Sequence, residues 1–479
     1  MSHHEFLFED LTADVDAALT IEGSLPEGLA GTFFAIGGTG IRIGETAVHG
    51  FDAHGRVTAV RLGGGTTPFL RARMVDTPLR RAELEQKTIV KRRLFTNKPA
   101  RWSNFANLDF GNNAWHNVVP WGDAIIAAND PGFFLLDRQS LATRGPAPLA
   151  PQKGATFSPM PHVDRHASGG RLVLIEQRPG LRDTLIVREL DEGYRVTAEQ
   201  SYKLPRGALL IHDVAFTEHY YLVVQWASLS LPTALWGAKP LADAVKFDAA
   251  QTPMAYLLPR RGGEAIAAPL PGGRLHFHFW NAFEQDGKVV LDTIGYAGRV
   301  AFTGLYPPET RKALGVGVEQ TPSSATYRYT IDPSTRAVHE QTLTSVAAEA
   351  PAIREDRRGR AYRYGWAPTR GSAGDEEDAN AYFWFHALAR HDFEGKQSTT
   401  WDAGPSAFVS PPAFVPRPGG TDEDDGWVVA LHQDAAARTS ALLVFDARDI
   451  AAGPIARLRA PASAGLLGGI SHVSFAADA

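Results

Sequence analysis

Short apolar runs separated by polar turns recur along most of this chain. Segments such as YYLVVQW (220–226), KVVLDTIGY (288–296), GWVVALH (426–432) and SALLVFD (440–446) are rich in β-branched and aromatic residues, which is typical of strands. Turn sequences such as EQDGK (284–288) stand between runs of this kind. The pattern therefore predicts an all-β fold built from many short strands.

Helical periodicity is scarce in this sequence. PLRRAELEQKTIVKRR (78–93) and ETRKALG (309–315) are the main helix candidates. Because so many strand edges need partners, the pattern favours a β-propeller or a large barrel, although no sharp WD-type or kelch-type repeat marks the blades. No composition shift marks a domain boundary, and we expect residues 1–479 to form a single domain.

Composition excludes some classes of function. The 479 residues carry a formal net charge of −5 with acidic and basic residues mixed throughout, so we expect no nucleic-acid partner. The first residues lack a basic region followed by an apolar run, and no segment reaches about 18 apolar residues, which predicts a cytoplasmic protein and leaves peripheral membrane contact open. Since the chain has no cysteine, histidine and carboxylate are the strong metal ligands available to it.

Three of the 16 histidines stand out by their surroundings. His212 lies in LLIHDVAF, His278 in LHFHFWNAFE and His472 in GGISHVSF. Each lies in a strand-like apolar run, where an unpaired imidazole would be costly to bury. Any one of them could be a buried histidine that bonds a backbone carbonyl, and the three together are candidate metal ligands only if the fold brings them together.

Several motifs, in order along the chain, resemble those of the carotenoid cleavage oxygenase family. LLIHDVAFTEHYYLVV is similar to the family's "M-I-H-D-F-A-I-T-E-N-Y", and FHFWNAFE is similar to "F-H-x-x-N-A-x-E". EAPAIREDRRGRAYRYGW resembles "E-F-P-R-I-x-x-x-x-x-G-R-x-Y-R-Y-G". PPAFVPRPGGTDEDDGWVVAL resembles "E-P-x-F-V-P-R-P-x-x-x-x-E-D-D-G".

The resemblance implies a seven-bladed β-propeller with a helical and loop cap, and an Fe(II) ion on its axis that four histidines bind. His212, His278 and His472 match three of those ligands. The fourth belongs to an "A-H-P-x-x-D" element, and SPMPHVD (158–164) matches it with Met160 at the ligand position. Because Pro161 and Asp164 match this element, we expect Met160 to face the centre. A thioether suits Fe(II) poorly, so the ligand at this position would be lost. The alternative is that His162, two residues on and on the same face of a strand, replaces it as a ligand.

The carboxylates that support the ligands in this family are also depleted. Glu349 matches one of the three glutamates that orient ligand imidazoles, and it is our candidate supporting residue. The second glutamate position falls on Asn129 and the third on Pro411, which has no side-chain acceptor.

Two functions follow from this resemblance. In the first, three imidazoles hold Fe(II), and dioxygen cleaves a C=C bond of an apolar isoprenoid, apocarotenoid or related alkene to two carbonyl products. In the second, the metal is lost and the apolar tunnel serves isomerisation, cyclisation or the binding of a hydrophobic molecule.

The resemblance also bears on substrate and membrane. Some family members carry a lysine that meets a phenolate just before the second glutamate position, and Ala128 stands there in this chain, which favours an apolar substrate. Aromatic residues including Trp102, Phe105 and Trp115 fall in or beside family elements that face the axial end. The segment WASLSLPTALWGAKPL (226–241) matches a region that often presents an apolar patch to membranes, with Leu229, Leu231, Leu235 and Trp236 as candidate contacts.

Overall fold

The structure of the chain is a computed structural model. It describes residues 3–107, 109–180, 182–204, 211–246, 252–298, 300, 302–317, 319, 323–370 and 384–478.

Thirty-five strands account for most of the regular structure in the described ranges. In the first half of the chain they are β1 (Val15–Ala18), β2 (Thr20–Gly23), β3 (Gly31–Thr39), β4 (Arg42–Ile43), β5 (Thr46–Ala47), β6 (His54–Leu62), β7 (Phe69–Met74), β8 (Asn117–Trp121), β9 (Ala124–Asn129), β10 (Gly132–Asp137), β11 (Thr143–Pro146), β12 (Thr156–Phe157), β13 (His162–Asp164), β14 (Arg171–Arg178), β15 (Asp183–Leu190), β16 (Val196–Leu204), β17 (Ala215–Phe216) and β18 (Tyr220–Gln225). In the second half they are β19 (Ser228–Leu229), β20 (Val245–Lys246), β21 (Met254–Pro259), β22 (Ile266–Pro269), β23 (Phe279–Gln285), β24 (Lys288–Tyr296), β25 (Ser324–Ile331), β26 (Val338–Thr344), β27 (Tyr364–Thr369), β28 (Ala387–Asp392), β29 (Gln397–Asp402), β30 (Ala407–Val409), β31 (Ala413–Pro416), β32 (Gly426–Asp434), β33 (Thr439–Asp446), β34 (Ala456–Arg459) and β35 (His472–Ala477).

Helices are few and short in the described residues. The α-helices are α1 (Pro78–Gln86), α2 (Leu231–Trp236) and α3 (Pro308–Leu314). Short 3-10 helices occupy His3–Phe8, Gly50–Asp52, Arg101–Asn104, Leu241–Ala244, Thr303–Leu305, Glu355–Arg357, Ile450–Ala452 and Ala462–Ala464. The helix predicted over 309–315 is confirmed by α3, whereas of the candidate 78–93 only Pro78–Gln86 is helical and the residues after it are not. None of the helices described combines the length and the apolar character needed to cross a membrane.

Local chemistry sets where α1 and α3 begin and end. The Thr77 side chain accepts a hydrogen bond from the Arg80 amide and caps α1, and Pro78 supplies a fixed φ at the first helical position. Pro308 plays the same part in α3, which ends at Gly315 with φ of 66°, a left-handed conformation that costs glycine little.

Seven sheets follow one another along the chain and form the blades of a propeller. Blade 1 has the order β1-β7-β6-β3-β35, blade 2 is β8 to β11, blade 3 is β12 to β16, blade 4 is β17-β18-β21-β22, blade 5 is β23 to β26, blade 6 is β27 to β29, and blade 7 is β30 to β34 with β2 added at its outer edge. Two-stranded ribbons, β4-β5 and β19-β20, lie outside the blades. The predicted seven-bladed fold is therefore confirmed, while its treatment as one domain stays a prediction.

Two strand pairings close the ring. The last strand, β35, pairs antiparallel with β3, so that His472 lies opposite Ile36. Near the other end of the chain, β2 pairs with β34 of blade 7. Each end of the chain thus completes a blade made mostly from the other end, and these two pairings hold the first and last blades together.

The hydrophobic core lies between neighbouring blades. At the seam, Phe33 and Val60 of blade 1 pack in one cluster with Trp427 and Leu442 of blade 7. Similar clusters fill the spaces between the other neighbouring blades. Because both faces of a blade are buried in this way, its strands read as continuous apolar runs rather than alternating ones.

The inner edges of the blades meet around the axis. Strands β35, β8, β17 and β23 are edge strands of blades 1, 2, 4 and 5, and β35 contacts β8 while β17 contacts β23. Residues just before these strands therefore point toward a common centre at one end of the axis.

The close approach of β3 to the chain before β35 predicts that one added methyl group destabilises the fold. A Cβ atom at Gly37, in β3, would lie 1.7 Å from the carbonyl oxygen of Gly469, just before β35. We expect Gly37→Ala to destabilise the fold by about 1–3 kcal/mol or more, because backbone has to shift. Thermal unfolding measures this, with Gly317→Ala as the control, since a Cβ there meets nothing within 4 Å. Equal melting temperatures for the two variants would contradict the tight seam.

Candidate functional site

Three of the histidines selected from the sequence meet at the end of the axis. Nε2 of His278 lies 3.2 Å from Nε2 of His212 and 3.0 Å from Nε2 of His472. His278 and His472 are buried, whereas His212 is partly accessible to the cavity above it.

Each of these histidines stands at the start of an inner strand. His472 is the first residue of β35, His278 directly precedes β23, and His212 lies three residues before β17. They belong to blades 1, 5 and 4, so their meeting depends on the closed ring.

A fourth imidazole, His116, lies in the same cluster and was not anticipated from the sequence. Its ring centroid is 4.8 Å from that of His212 and 5.3 Å from that of His472. His116 directly precedes β8, the inner strand of blade 2. The signal was present in AWHNVVPW, where a histidine stands beside an apolar run, as it does in the other three segments.

Glu349, the candidate supporting residue, contacts one histidine of the cluster. Its Oε1 contacts Nδ1 of His278, and its Oε2 accepts a hydrogen bond from the hydroxyl of Tyr296. Burial alone would lower the pKa of His278, but the Glu349 carboxylate raises it above its usual value. Burial would in turn raise the pKa of Glu349, and His278 and Tyr296 instead hold it below the usual value. Glu349 thereby fixes the orientation of the His278 ring and directs its Nε2 toward the centre.

A backbone carbonyl orients His472. Its Nδ1 lies 2.7 Å from the carbonyl oxygen of His116, which can only accept, so Nδ1 carries the proton and Nε2 keeps its lone pair. Burial lowers the pKa of His472 and of His212 to about 3. Burial also holds the pKa of His116 well below its usual value. These three rings are therefore neutral at physiological pH, which is the state that a metal ligand requires.

His162 bonds a carboxylate that directly follows His212 in the chain. Its Nε2 lies 2.7 Å from Oδ1 of Asp213, whose carboxylate also accepts from the amides of Val214 and Phe279. Burial acts to raise the pKa of Asp213, but His162 lowers it to about 2. Nε2 of His162 is thus engaged by a carboxylate, and its role as a replacement ligand stays a hypothesis.

Met160 is buried beside the backbone of His212. Its amide lies 3.4 Å from Oγ of Ser158, which donates to the His212 carbonyl. The described residues that line the cavity do not include Met160, so the lining gives no support to the expectation that it faces the centre.

The two other carboxylate positions offer no anion to the histidines. Asn129 uses its amide to donate to Oδ1 of Asn113, at 2.7 Å. Pro411 is buried, and its carbonyl accepts from the hydroxyl of Ser410. Glu349 is thus the sole one of the three positions that retains a carboxylate.

A small cavity of about 40 Å³ opens above the imidazoles. Its walls are mostly aromatic, and it is lined by Phe51, Trp115, His116, His212, Phe277, His278, Phe302, Ser471 and His472. Phe51 and Trp115 stack with ring centroids 4.9 Å apart. The prediction that Trp115 faces the axial end is confirmed, whereas Trp102 and Phe105 are exposed at the surface.

Comparison with known proteins agrees with this geometry. The family model for retinal pigment epithelial membrane protein matches residues 8–466. Apocarotenoid-15,15'-oxygenase of Synechocystis sp. is 31% identical over 452 residues, which cover 92% of this chain and 89% of that protein. Carotenoid isomerooxygenase of Galleria mellonella is 24% identical over 482 residues, with 92% and 90% covered.

A solved structure extends the comparison to three dimensions. The crystal structure of the cobalt-substituted Synechocystis apocarotenoid oxygenase superposes with a TM-score of 0.88 at 28% identity, covering 99% of this chain and 98% of that one. With its seven blades, its inner-strand histidines and a match over nearly its whole length, this chain belongs to the retinal pigment epithelial membrane protein family, the carotenoid cleavage oxygenases whose motifs its sequence resembles.

Proposed function

We propose that this protein is a non-haem iron oxygenase that cleaves a C=C bond of an apolar unsaturated substrate, an isoprenoid, apocarotenoid or related alkene, with dioxygen. The observation that carries the proposal is the meeting of His212, His278 and His472, from three separate blades, under a cavity with aromatic walls. The family relationship and the names of the oxygenases similar to this chain support the reaction class.

The histidine cluster fits a metal ion after a small adjustment. Among the described residues, no group of three or more His, Asp or Glu side chains already has the geometry of a metal site. Two nitrogens that each lie about 2.1 Å from one ion, at an angle of about 90–110°, are about 3.0–3.4 Å apart. The Nε2 separations of 3.0 and 3.2 Å fall in that range. A metal ion could therefore take the place of the proton that these nitrogens share.

The donors also suit Fe(II) chemically. Neutral imidazoles bind Fe(II), and an ion held by them would retain positions open to dioxygen. Iron bound there supplies the activation of dioxygen, while the protein supplies orientation and the exclusion of water.

The cavity walls match an apolar alkene. Phe51, Trp115, Phe277 and Phe302 offer ring faces, and the described lining contains no lysine or arginine that could hold a phenolate or carboxylate. Ala128, at the position where some relatives carry a lysine, is buried and accepts a bond from the His116 amide. Each alkene carbon takes one oxygen atom of O2, so cleavage to two carbonyl compounds balances without an external reductant.

Isotope labelling tests this function. The protein reconstituted with Fe(II) is incubated under 18O2 with an apocarotenoid and, separately, with a 4-hydroxystilbene. We expect two carbonyl products from the apocarotenoid, each with one 18O atom when exchange with water is suppressed, and little conversion of the stilbene. Protein loaded with Zn(II) is the control. Formation of an isomer without oxygen, equally with and without iron, would instead support the metal-free alternative that the lost carboxylates at Asn129 and Pro411 suggest.

The role of Glu349 yields a second prediction. Glu349→Gln removes the anion that orients His278, so we expect metal affinity to fall by about 10–100-fold with the fold intact. Competition with a chelator measures the affinity for Co(II). The matched control is Glu284→Gln, because Glu284 also accepts from a histidine, His219, but at an exposed position. Equal losses in the two variants would contradict a specific role of Glu349.

We also propose that one surface contacts membranes. Trp102, Phe105 and Trp236 are 92%, 58% and 68% exposed, and the rings of Phe105 and Trp236 lie 6.4 Å apart. The backbone joins the two segments, since the Ala106 amide donates to the Leu235 carbonyl. Large exposed aromatics grouped in this way suit the boundary of a bilayer, from which an apolar substrate can be drawn. Of the other candidates in 226–241, the side chains of Leu229 and Leu231 lie outside the described part of the structure.

Vesicle binding tests the membrane surface. We expect Trp102→Ser with Trp236→Ser to reduce co-flotation with phosphatidylcholine vesicles by at least about tenfold, because burial of one large apolar side chain stabilises by about 1.5–3 kcal/mol. Val196→Ser, on the outer strand β16, is the control for loss of an exposed apolar residue elsewhere. Unchanged flotation of the double variant would exclude this surface.

A further inference from the structure

We propose that His116 is the fourth metal ligand of this protein, so that the imidazole missing at Met160 is supplied from a different blade. The inference rests on the metal centre of the proposed function and adds a residue that family motifs do not place there. Four neutral imidazoles, from blades 1, 2, 4 and 5, would then hold one divalent ion.

The ring geometry supports this assignment. Imidazoles that share an ion through nitrogens at about 2.1 Å, at angles of about 90–110°, have ring centroids about 4.6–5.3 Å apart. The centroid separations for His212 with His278 and for His278 with His472 are 4.9 and 5.0 Å. His116 lies at 4.8 and 5.3 Å from His212 and His472, so it is as close to its neighbours as the other three rings are to theirs.

The backbone of His116 is held from both sides. Its amide donates to the Ala128 carbonyl of β9 at 3.1 Å. Its carbonyl accepts from Nδ1 of His472 and lies 2.7 Å from Oγ of Ser471. The contact with His472 couples two members of the cluster, because it fixes the backbone of His116 and the tautomer of His472.

The order of the blades explains how a histidine of one blade can stand in for a ligand missing from its neighbour. In blades 1, 2, 4 and 5 a histidine at or just before the start of the inner strand lines the axial cavity. In blade 3 that position falls in the segment before β13, which carries Met160, and in blade 2 it is His116, directly before β8. Blade 2 lies between blade 3 and blade 1, which contributes His472. Loss of the histidine in one blade is thus matched by a histidine at the corresponding position of the next.

The two residues near the missing ligand have other surroundings. Nε2 of His162 is bonded to Asp213, and Met160 does not belong to the described lining of the cavity. His116, in contrast, lines that cavity together with the other three histidines.

Cobalt substitution tests the proposal. Metal-free full-length protein and its variants are titrated with Co(II), and affinity, stoichiometry, the visible spectrum and the paramagnetically shifted imidazole signals in 1H NMR are recorded. We expect the wild type to bind one ion with four sets of shifted ring signals. His116→Ala should retain three sets, change the visible spectrum and lower the affinity by at least about tenfold, the lower end of the loss found even for residues that only support a ligand. Met160→Ala and His162→Ala are the controls and should keep all four sets.

The outcomes separate this inference from the proposed function. One bound ion with three sets of signals in the wild type, unchanged in His116→Ala, would overturn the role of His116 and leave the iron enzyme standing. Loss of a set in Met160→Ala or His162→Ala would also overturn it. A wild type that binds no Co(II) would overturn both proposals. If His116→Ala fails to fold by circular dichroism, the number of shifted sets in the wild type still decides between four ligands and three.

Discussion

The pairing of β35 with β3 is the constraint on which the fold and the site both depend. It joins the last strand of the chain to the first blade, and the seam tolerates no side chain at Gly37. The same strand begins with His472, whose Nδ1 bonds the His116 carbonyl of blade 2, and Ser474 donates to Val118 of the same blade. Closure of the ring therefore places His472 in the cluster, and a propeller open at this seam would lose His472 together with its bond to the His116 carbonyl.

The fold was largely predictable from the sequence because apolar runs and turns are local features, and because motifs in order along the chain resembled one family. The contacts of His278 with His212, His472 and Glu349 followed from the same motifs. His116 was not predicted, because the resemblance placed the fourth ligand at Met160. Neighbours in a ring of blades are distant in sequence: His116 and His472 are in contact although 356 residues separate them. No local pattern reveals such a contact, and only the shared context of a histidine before an apolar strand hinted at it.

Charge distinguishes this cluster from one supported by three carboxylates. Here Glu349 is the anion that contacts a central imidazole, whereas His472 is oriented by a neutral carbonyl. A carbonyl fixes the tautomer as well as a carboxylate does, but it contributes no net negative charge. A divalent ion among these imidazoles would keep more of its positive charge, which weakens its retention and strengthens its pull on electrons of bound molecules. The imidazole rings at this site are thus oriented as they would be by three carboxylates, but with less negative charge in contact with them.

The size of the cavity carries a consequence for how a substrate reaches the histidines. Pockets that bury a whole organic ligand usually measure about 300–1,000 Å³, and the space above the imidazoles is about 40 Å³. A small gas molecule or a few waters fit without any rearrangement, but an isoprenoid chain does not. Entry of such a chain would require the aromatic walls, which include Phe51, Trp115 and Phe302, to move, and the free energy of that movement would be subtracted from the observed affinity. The aromatic walls would thus favour molecules whose own contacts with the rings replace the contacts that the rings lose.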